Sequence, residues 1–209
     1  MENYSITPID SSSLMKKAHN DLKEHWPMAI GGIVLSLLAS IAASFIPFGS
    51  IIVGGPLALG ISIYFLNVVR NKDARIENFF DGFKNFENAL LGYFFMFLFI
   101  ILWSLLFIIP GIIAAIKYAM TFFILADDRE ISGSDAIDKS IAMMNGHKMD
   151  YFVLNLILVL ISIPVTFLTL GIGLLWFIPF SYATQANFYN SIKGYDEDDQ
   201  LSLEDNLIN

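Results

Sequence analysis

The sequence predicts an all-α membrane protein that crosses the bilayer six times. Three observations support this fold class. They are an apolar composition, six long apolar runs, and the absence of basic residues from the first, third and fifth connections between those runs. Hydrophobic residues make up 56% of the 209 residues, charged residues make up 15%, and the mean hydropathy is +0.61. A soluble protein needs a more polar surface, so this composition suits a hydrocarbon solvent.

The apolar runs are long enough, or nearly so, for a hydrocarbon core of about 30 Å, which roughly 20 helical residues span. They occur in three pairs, and a short uncharged turn that contains proline or glycine joins the two runs of each pair. Such turns end one helix and begin the next, so each pair is predicted to form a tight hairpin. The predicted spans are 27–47, 51–69, 88–109, 111–126, 151–170 and 172–189.

The basic residues predict the orientation. Eleven of the 12 Lys and Arg residues precede the first hairpin, separate the hairpins or follow the third, and the hairpin turns carry none. By the positive-inside rule these segments face the cytoplasm, which places both termini inside. The first apolar run begins only after residue 26 and is too long for the core of a cleaved signal peptide.

An amphipathic segment precedes each hairpin. The first repeats Leu14, Ala18 and Leu22 at helical spacing, and the third begins with a capping-box-like motif from Ser132 to Asp135. We expect all three segments to lie in the inner membrane interface with the apolar side down. The second segment has Asp73 as its predicted cap and carries Ile76, Phe79, Phe80, Phe83 and Phe86 on one face.

These features predict one membrane domain over 1–193 that is built from a threefold repeat. Each unit contains an amphipathic helix and a hairpin, with bounds of about 11–70, 73–127 and 132–192. The acidic tail, 194–209, lacks an apolar period and is predicted to be disordered on the cytoplasmic side.

Lys117 is the one ionisable side chain deep inside a predicted span. It lies about 10 Å from the turn at Pro110 and about 15 Å from Asp127, counted at 1.5 Å per residue. A charge at this depth predicts contact with a lipid phosphate or an anionic solute, or else a side chain that reaches the interface. Polar residues near Lys117 in sequence or in other spans also allow two interpretations: contact with a ligand, or hydrogen bonds between helices. The candidate contact residues are Lys117, Tyr118, Asn155, Tyr182, Gln185 and Asn187.

Composition and spacing argue against several other functions. The net charge of −8 disfavours nucleic acid, and the chain has no cysteine and only three histidines, without metal-binding spacing. No nucleophile with a base and no paired carboxylates at one depth are visible. We therefore expect no enzymatic activity, no metal and no cofactor. Membrane lipids are the expected partners, while a protein partner and the oligomeric state stay open.

Several motifs in the second half of the chain resemble a known family. They include the run from Leu102 to Ile113, the pair Asp127 and Asp128, and the run from Met143 to Lys148. These motifs resemble an uncharacterised bacterial membrane family, domain of unknown function nine-seven-five, over about 75–192. The chain departs from that family's pattern at Arg129, where proline is usual, and at Phe180, where tyrosine is common.

That family is also distantly similar to the membrane-embedded portion of some glycerophosphodiester phosphodiesterases. The resemblance implies a bacterial cytoplasmic (inner) membrane and lipid-associated work. Our leading hypothesis is a non-enzymatic module that handles lipid or organises partners. The alternative is a small transporter or channel for a small solute, with Lys117 in its pathway.

Overall fold

The computed structural model describes residues 9–106 and 108–194. Every regular element in these two ranges is helical, which confirms the all-α class. The elements are α1 (Ser11–Asp21), α2 (Trp26–Ser44), α3 (Gly49–Val69), a 3₁₀ helix (Ile76–Asn85), α4 (Phe86–Leu106), α5 (Ile108–Tyr118), α6 (Thr121–Asp127), α7 (Gly133–Met143), α8 (Lys148–Thr169) and α9 (Leu174–Lys193). The predicted acidic tail lies outside the described residues beyond position 194.

Five helical stretches in the described ranges are long and apolar enough to cross a membrane. The helix α9 is not among them, although it is 20 residues long, because six Ser, Thr, Asn and Gln residues reduce its hydropathy. In α3, 61% of the apolar window is buried, against 11% in α8, so α3 lies at the centre of the bundle. The five stretches are Trp26–Ser44, Gly49–Val69, Ile76–Leu105, Ile109–Asp127 and Lys148–Thr169.

Large apolar side chains cover the outside of the bundle. Leu37 on α2, Leu105 on α4 and Leu168 on α8 expose 55%, 82% and 85% of their surface. An apolar exterior of this extent is unfavourable in water and favourable in hydrocarbon. The exposed faces of these helices therefore fit a membrane-embedded protein.

Tight turns join the helices of the first and third hairpins, as predicted. Phe48, between α2 and α3, has a φ of 61°, and Leu170 and Gly171, between α8 and α9, have φ values of 50° and 90°. These left-handed conformations reverse the chain within a few residues. Leucine and phenylalanine rarely adopt this region, so the two turns impose strain that the hairpins hold in place.

The fourth predicted span is broken rather than continuous. The helix α5 ends at Tyr118 and α6 begins at Thr121. The break is stabilised by Ser140 of α7, whose hydroxyl oxygen accepts a hydrogen bond from the Met120 N–H (3.2 Å) and donates one to the Lys117 carbonyl (2.8 Å). Backbone groups freed in an apolar interior need such partners, so one side chain makes the break tolerable.

The second amphipathic segment packs along α3. A Cβ atom at Gly60 would lie 1.9 Å from the Phe79 carbonyl oxygen, and one at Gly82 would lie 1.9 Å from the Pro56 carbonyl oxygen. Pro56 is 13 residues from the end of α3 at Val69, about 20 Å along the helix. The Asn67 side chain also donates to the Asn78 side chain (3.3 Å), so the 3₁₀ helix lies beside α3 from Pro56 to Asn67. Its placement in the membrane interface stays a prediction.

The capping of this segment also differs from the prediction. Arg75 precedes the 3₁₀ helix, and its backbone N–H donates to the Asn78 side chain (2.9 Å). Asp73 instead accepts a hydrogen bond from the Arg75 guanidinium (2.7 Å), and this bond lowers the pKa of the Asp73 carboxyl. Asp73 is not the cap because the helix begins only at Ile76, and Asp73 instead forms an exposed ion pair with Arg75.

The first and third amphipathic segments are capped α-helices. Asp10 caps α1 by accepting hydrogen bonds from the Ser12 and Ser13 N–H groups, and the Ser12 bond holds the pKa of the Asp10 carboxyl below its usual value. Ser132 caps α7 by accepting a hydrogen bond from the Asp135 N–H (3.1 Å), which confirms the predicted start.

The close approach at Gly60 can be tested by adding one methyl group. We expect Gly60→Ala to reduce the free energy of unfolding by roughly 1–3 kcal/mol, because its Cβ would collide with the Phe79 backbone. Gly31→Ala is the matched control, since a Cβ there meets only the end of the Ile76 side chain at 3.8 Å. Unfolding in detergent micelles measures both variants. Equal stability of the two would contradict the packing described here.

Candidate functional site

A largely buried ionic cluster joins all three hairpin units. Arg70, at the end of α3, makes two hydrogen bonds to the carboxylate of Asp127, at the end of α6. Its Nε donates to the Asn190 side-chain oxygen on α9 (3.0 Å). Arg70 is 6% exposed and Asp127 is 13% exposed, so both charges are shielded from water. The helices that end the three predicted units therefore meet at one buried arginine.

Two further residues of α9 complete this ionic cluster. The Tyr189 hydroxyl donates to Asp127 (2.8 Å), and the Lys193 ammonium lies 2.6 Å from the same carboxylate oxygen. The Tyr189 ring lies 5.9 Å from both cations and stacks on Phe123 at 5.6 Å. A buried charge pair needs this many partners to offset its desolvation. The cluster fits a structural lock better than a catalytic site, because its carboxylate is already saturated with donors.

The structure places Lys117 and Tyr118 together in a small cavity of about 220 Å³. Its lining comes from α4 and α5 alone, and none of the other predicted contact residues belongs to it. The shared polar cavity that the sequence suggested is therefore not formed. The lining residues are Trp103, Pro110, Ile113, Ala114, Lys117 and Tyr118.

The other predicted contact residues lie in three different places. Asn155 donates to the Tyr151 carbonyl (2.9 Å), and Gln185 accepts from the Tyr151 hydroxyl (3.2 Å). Asn187, 2% exposed, donates to Asp21 of α1 (2.7 Å). Tyr182 stacks on Phe65 with ring centres 5.5 Å apart. Asn155, Gln185 and Asn187 thus take part in hydrogen bonds within or between helices.

A long apolar crevice runs between α5 and α8. Two adjoining cavities of about 420 and 480 Å³ share the side chains of Ile112, Ile116 and Phe152. Tyr151 and Asn155 add polar groups at one part of the crevice, and Lys148 lines another. A cationic side chain at an apolar groove is the combination that a phospholipid matches, with acyl chains in the groove and phosphate on the ammonium.

The same crevice differs from the predicted topology in one respect. Ile109, beside the turn between α4 and α5, lines the crevice together with Lys148, at the start of α8. The charge pattern places these two residues at opposite faces of the bilayer. In the structure the first residues of α5 instead lie near the start of α8.

The sequence alone did not identify the Arg70–Asp127 pair. Both residues fall at the cytoplasmic ends of predicted spans, where a charged side chain usually faces water. The available indication was positional, since Arg70, Asp127 and Asn190 occupy comparable places at the ends of the three predicted units. The opposite charges of Arg70 and Asp127 predict a contact only if the three units are assumed to pack as a repeat, with their ends together.

A comparison with known protein families found a match in the second half of the chain. Residues 105–196 match the family described as "Protein of unknown function (DUF975)". This segment, a little under half of the chain, is similar to that family. The match covers α5 to α9 and confirms the resemblance found in the sequence, while the likeness to glycerophosphodiester phosphodiesterases stays a prediction. No curated protein and no solved structure matches the chain.

Removing the carboxylate of Asp127 tests the ionic cluster. We expect Asp127→Ala to reduce the free energy of unfolding by about 3–5 kcal/mol, because the buried Arg70 guanidinium loses its bidentate partner. Thermal or denaturant unfolding in detergent measures the loss. Asp73→Ala is the control, since it removes an equivalent pair that is exposed to solvent, and we expect little change.

A double variant separates the ion pair from the other contacts of Asp127. Arg70→Met combined with Asp127→Leu should lose less stability than the sum of the single changes, because no buried charge is left alone. Additive losses in this cycle would contradict direct coupling between the two side chains.

Proposed function

We propose that the protein is a non-enzymatic membrane module that holds a phospholipid in the crevice between α5 and α8. The observation that supports this proposal is the combination of an apolar groove, lined by Ile112, Ile116 and Phe152, with the ammonium of Lys148. The groove lies on an exterior that is itself apolar, so a bilayer lipid enters it from the side. A module that holds lipid in this way also presents a defined surface to membrane or cytoplasmic protein partners.

We further propose a bacterial inner-membrane location with six spans and both termini in the cytoplasm. The distribution of the basic residues supports this orientation. In this arrangement α9 is the sixth span, and its polar side chains are tolerated because α1, α2, α3 and α8 pack around it. Ile109 and Lys148 line the same crevice, so the second hairpin is the part of the six-span arrangement that labelling tests most directly.

Single introduced cysteines test the topology, because the natural chain has none. We expect Phe48→Cys and Ile109→Cys to react with a membrane-impermeant maleimide in intact cells, since both are exposed at proposed outer turns. Asp73→Cys, 68% exposed on the proposed cytoplasmic side, should react only after permeabilisation. Protection of Ile109→Cys in intact cells would replace the six-span arrangement with four spans and an inner second hairpin.

Lipid retention tests the proposed site. We expect the purified protein to retain anionic phospholipid in native mass spectrometry, and Lys148→Gln to weaken this retention about fivefold, as expected for the loss of one cation near the headgroup. Ala115→Phe should prevent retention by filling the crevice.

Matched controls separate a specific site from general effects. Lys72→Gln removes an exposed lysine elsewhere, and Ala42→Phe adds an aromatic ring at an exposed position on α2. Neither should change retention. Equal retention by Lys148→Gln, Ala115→Phe and the wild-type protein would refute the lipid site.

A further inference from the structure

A second cavity, separate from the lipid crevice, lies between α2, α3, α4 and α9. Its volume is about 310 Å³, and each of the four helices contributes a residue near its middle. Ser36 is 10 residues from the start of α2, and Tyr182 is eight residues from the start of α9, which is about 15 and 12 Å along the two helices. The cavity therefore lies about halfway along the bundle and away from both ends.

The polar groups of this cavity are four hydroxyls. They belong to Ser36, Ser40, Tyr93 and Tyr182, and the lining contains no charged side chain. A cavity at this depth with hydroxyls and no charge does not suit a phosphate or a metal ion. It suits an uncharged molecule that dissolves in the bilayer.

The hydrogen bonds of these hydroxyls indicate which ligand atoms they need. The Ser40 hydroxyl already donates to the Ser36 carbonyl (2.9 Å). The Ser36 hydroxyl is buried, with the residue 5% exposed, and has no hydrogen-bond partner. Within the described ranges, the hydroxyls of Tyr93 and Tyr182 also form no hydrogen bond with the protein. Three O–H donors without acceptors thus belong to residues that line the cavity, and the one on Ser36 is buried, which makes its missing acceptor costly.

Access and shape point to a ring-bearing ligand. Leu37 and Ser40 line the cavity and are exposed on α2, so the cavity opens toward the lipid. Tyr182 is held flat against Phe65, with an interplanar angle of 12° and ring centres 5.5 Å apart. A rigid aromatic wall of this kind stacks well on a planar ring.

We infer that this cavity binds a quinone-class lipid, a planar uncharged ring whose carbonyl oxygens accept hydrogen bonds from Ser36, Tyr93 and Tyr182. The ring carbonyls supply the acceptors that the three hydroxyls lack, and the isoprenoid or alkyl tail leaves through the opening at Leu37. This inference does not depend on the lipid crevice, since α5 and α8 do not line the cavity.

Photolabelling tests the inference. The full-length protein in phosphatidylcholine nanodiscs is labelled with an azido-substituted short-chain quinone, and labelled peptides are identified by mass spectrometry. We expect saturable labelling on α2 and α9 that decylubiquinone competes. Ser36→Ala and Tyr182→Phe should each raise the half-saturating concentration about fivefold, the effect of losing one hydrogen bond. Ala58→Leu should abolish saturable labelling by filling the cavity.

Two controls keep the experiment decisive. Ser44→Ala removes a hydroxyl of α2 outside the cavity, and Tyr118→Phe removes one in another cavity, so neither should change labelling. A thermal unfolding curve for each variant verifies that it is folded. Labelling that decane competes as well as decylubiquinone would overturn the inference in favour of an acyl-chain cavity. Labelling that does not saturate, or that the cavity variants leave unchanged, would also overturn it.

Discussion

The bidentate pair between Arg70 and Asp127 is the interaction on which the arrangement of the helices depends. Hydrophobic burial provides little force between helices that are already surrounded by hydrocarbon, so polar contacts and close packing must fix their relative positions. Arg70 connects the end of α3 to the ends of α6 and α9 in a single set of hydrogen bonds. Among the five apolar stretches α3 is the most buried, so this ion pair connects the centre of the bundle to the other helices.

Close packing by glycine complements this polar lock. Gly60 and Gly82 let the backbone of the 3₁₀ helix approach α3, where any side chain would collide. Phe79 is consequently fully buried, beside Tyr64 and Phe65. Near its end α3 is therefore held by charge, and near its middle it is held by van der Waals contact.

The sequence predicted the features that follow from local pattern. Apolar runs predicted the helices, turn residues predicted the reversals at Phe48 and Leu170, and a capping motif predicted the start of α7 at Ser132. It failed where a distant residue decides the local structure. The break after Tyr118 depends on Ser140, and the close approach of the 3₁₀ helix to α3 depends on Gly60. Neither influence appears within a local window.

The candidate site shows the same division. Lys117 and Tyr118 were expected to lie together and they do, because they are adjacent on α5. The polar residues of α8 and α9 were grouped with them by depth alone, and depth does not specify which side of a helix faces which neighbour. Asn187 consequently pairs with Asp21 of α1, and Tyr182 lines a cavity to which Lys117 does not belong.

The hydroxyl of Ser140 connects α7 to the break in the fourth span through two hydrogen bonds. It holds the Lys117 carbonyl and the Met120 N–H at once, so α7 cannot shift without exposing two unpaired backbone groups. The end of α5 at Tyr118 is therefore tied to the position of α7 through this one side chain, in addition to its packing against α4.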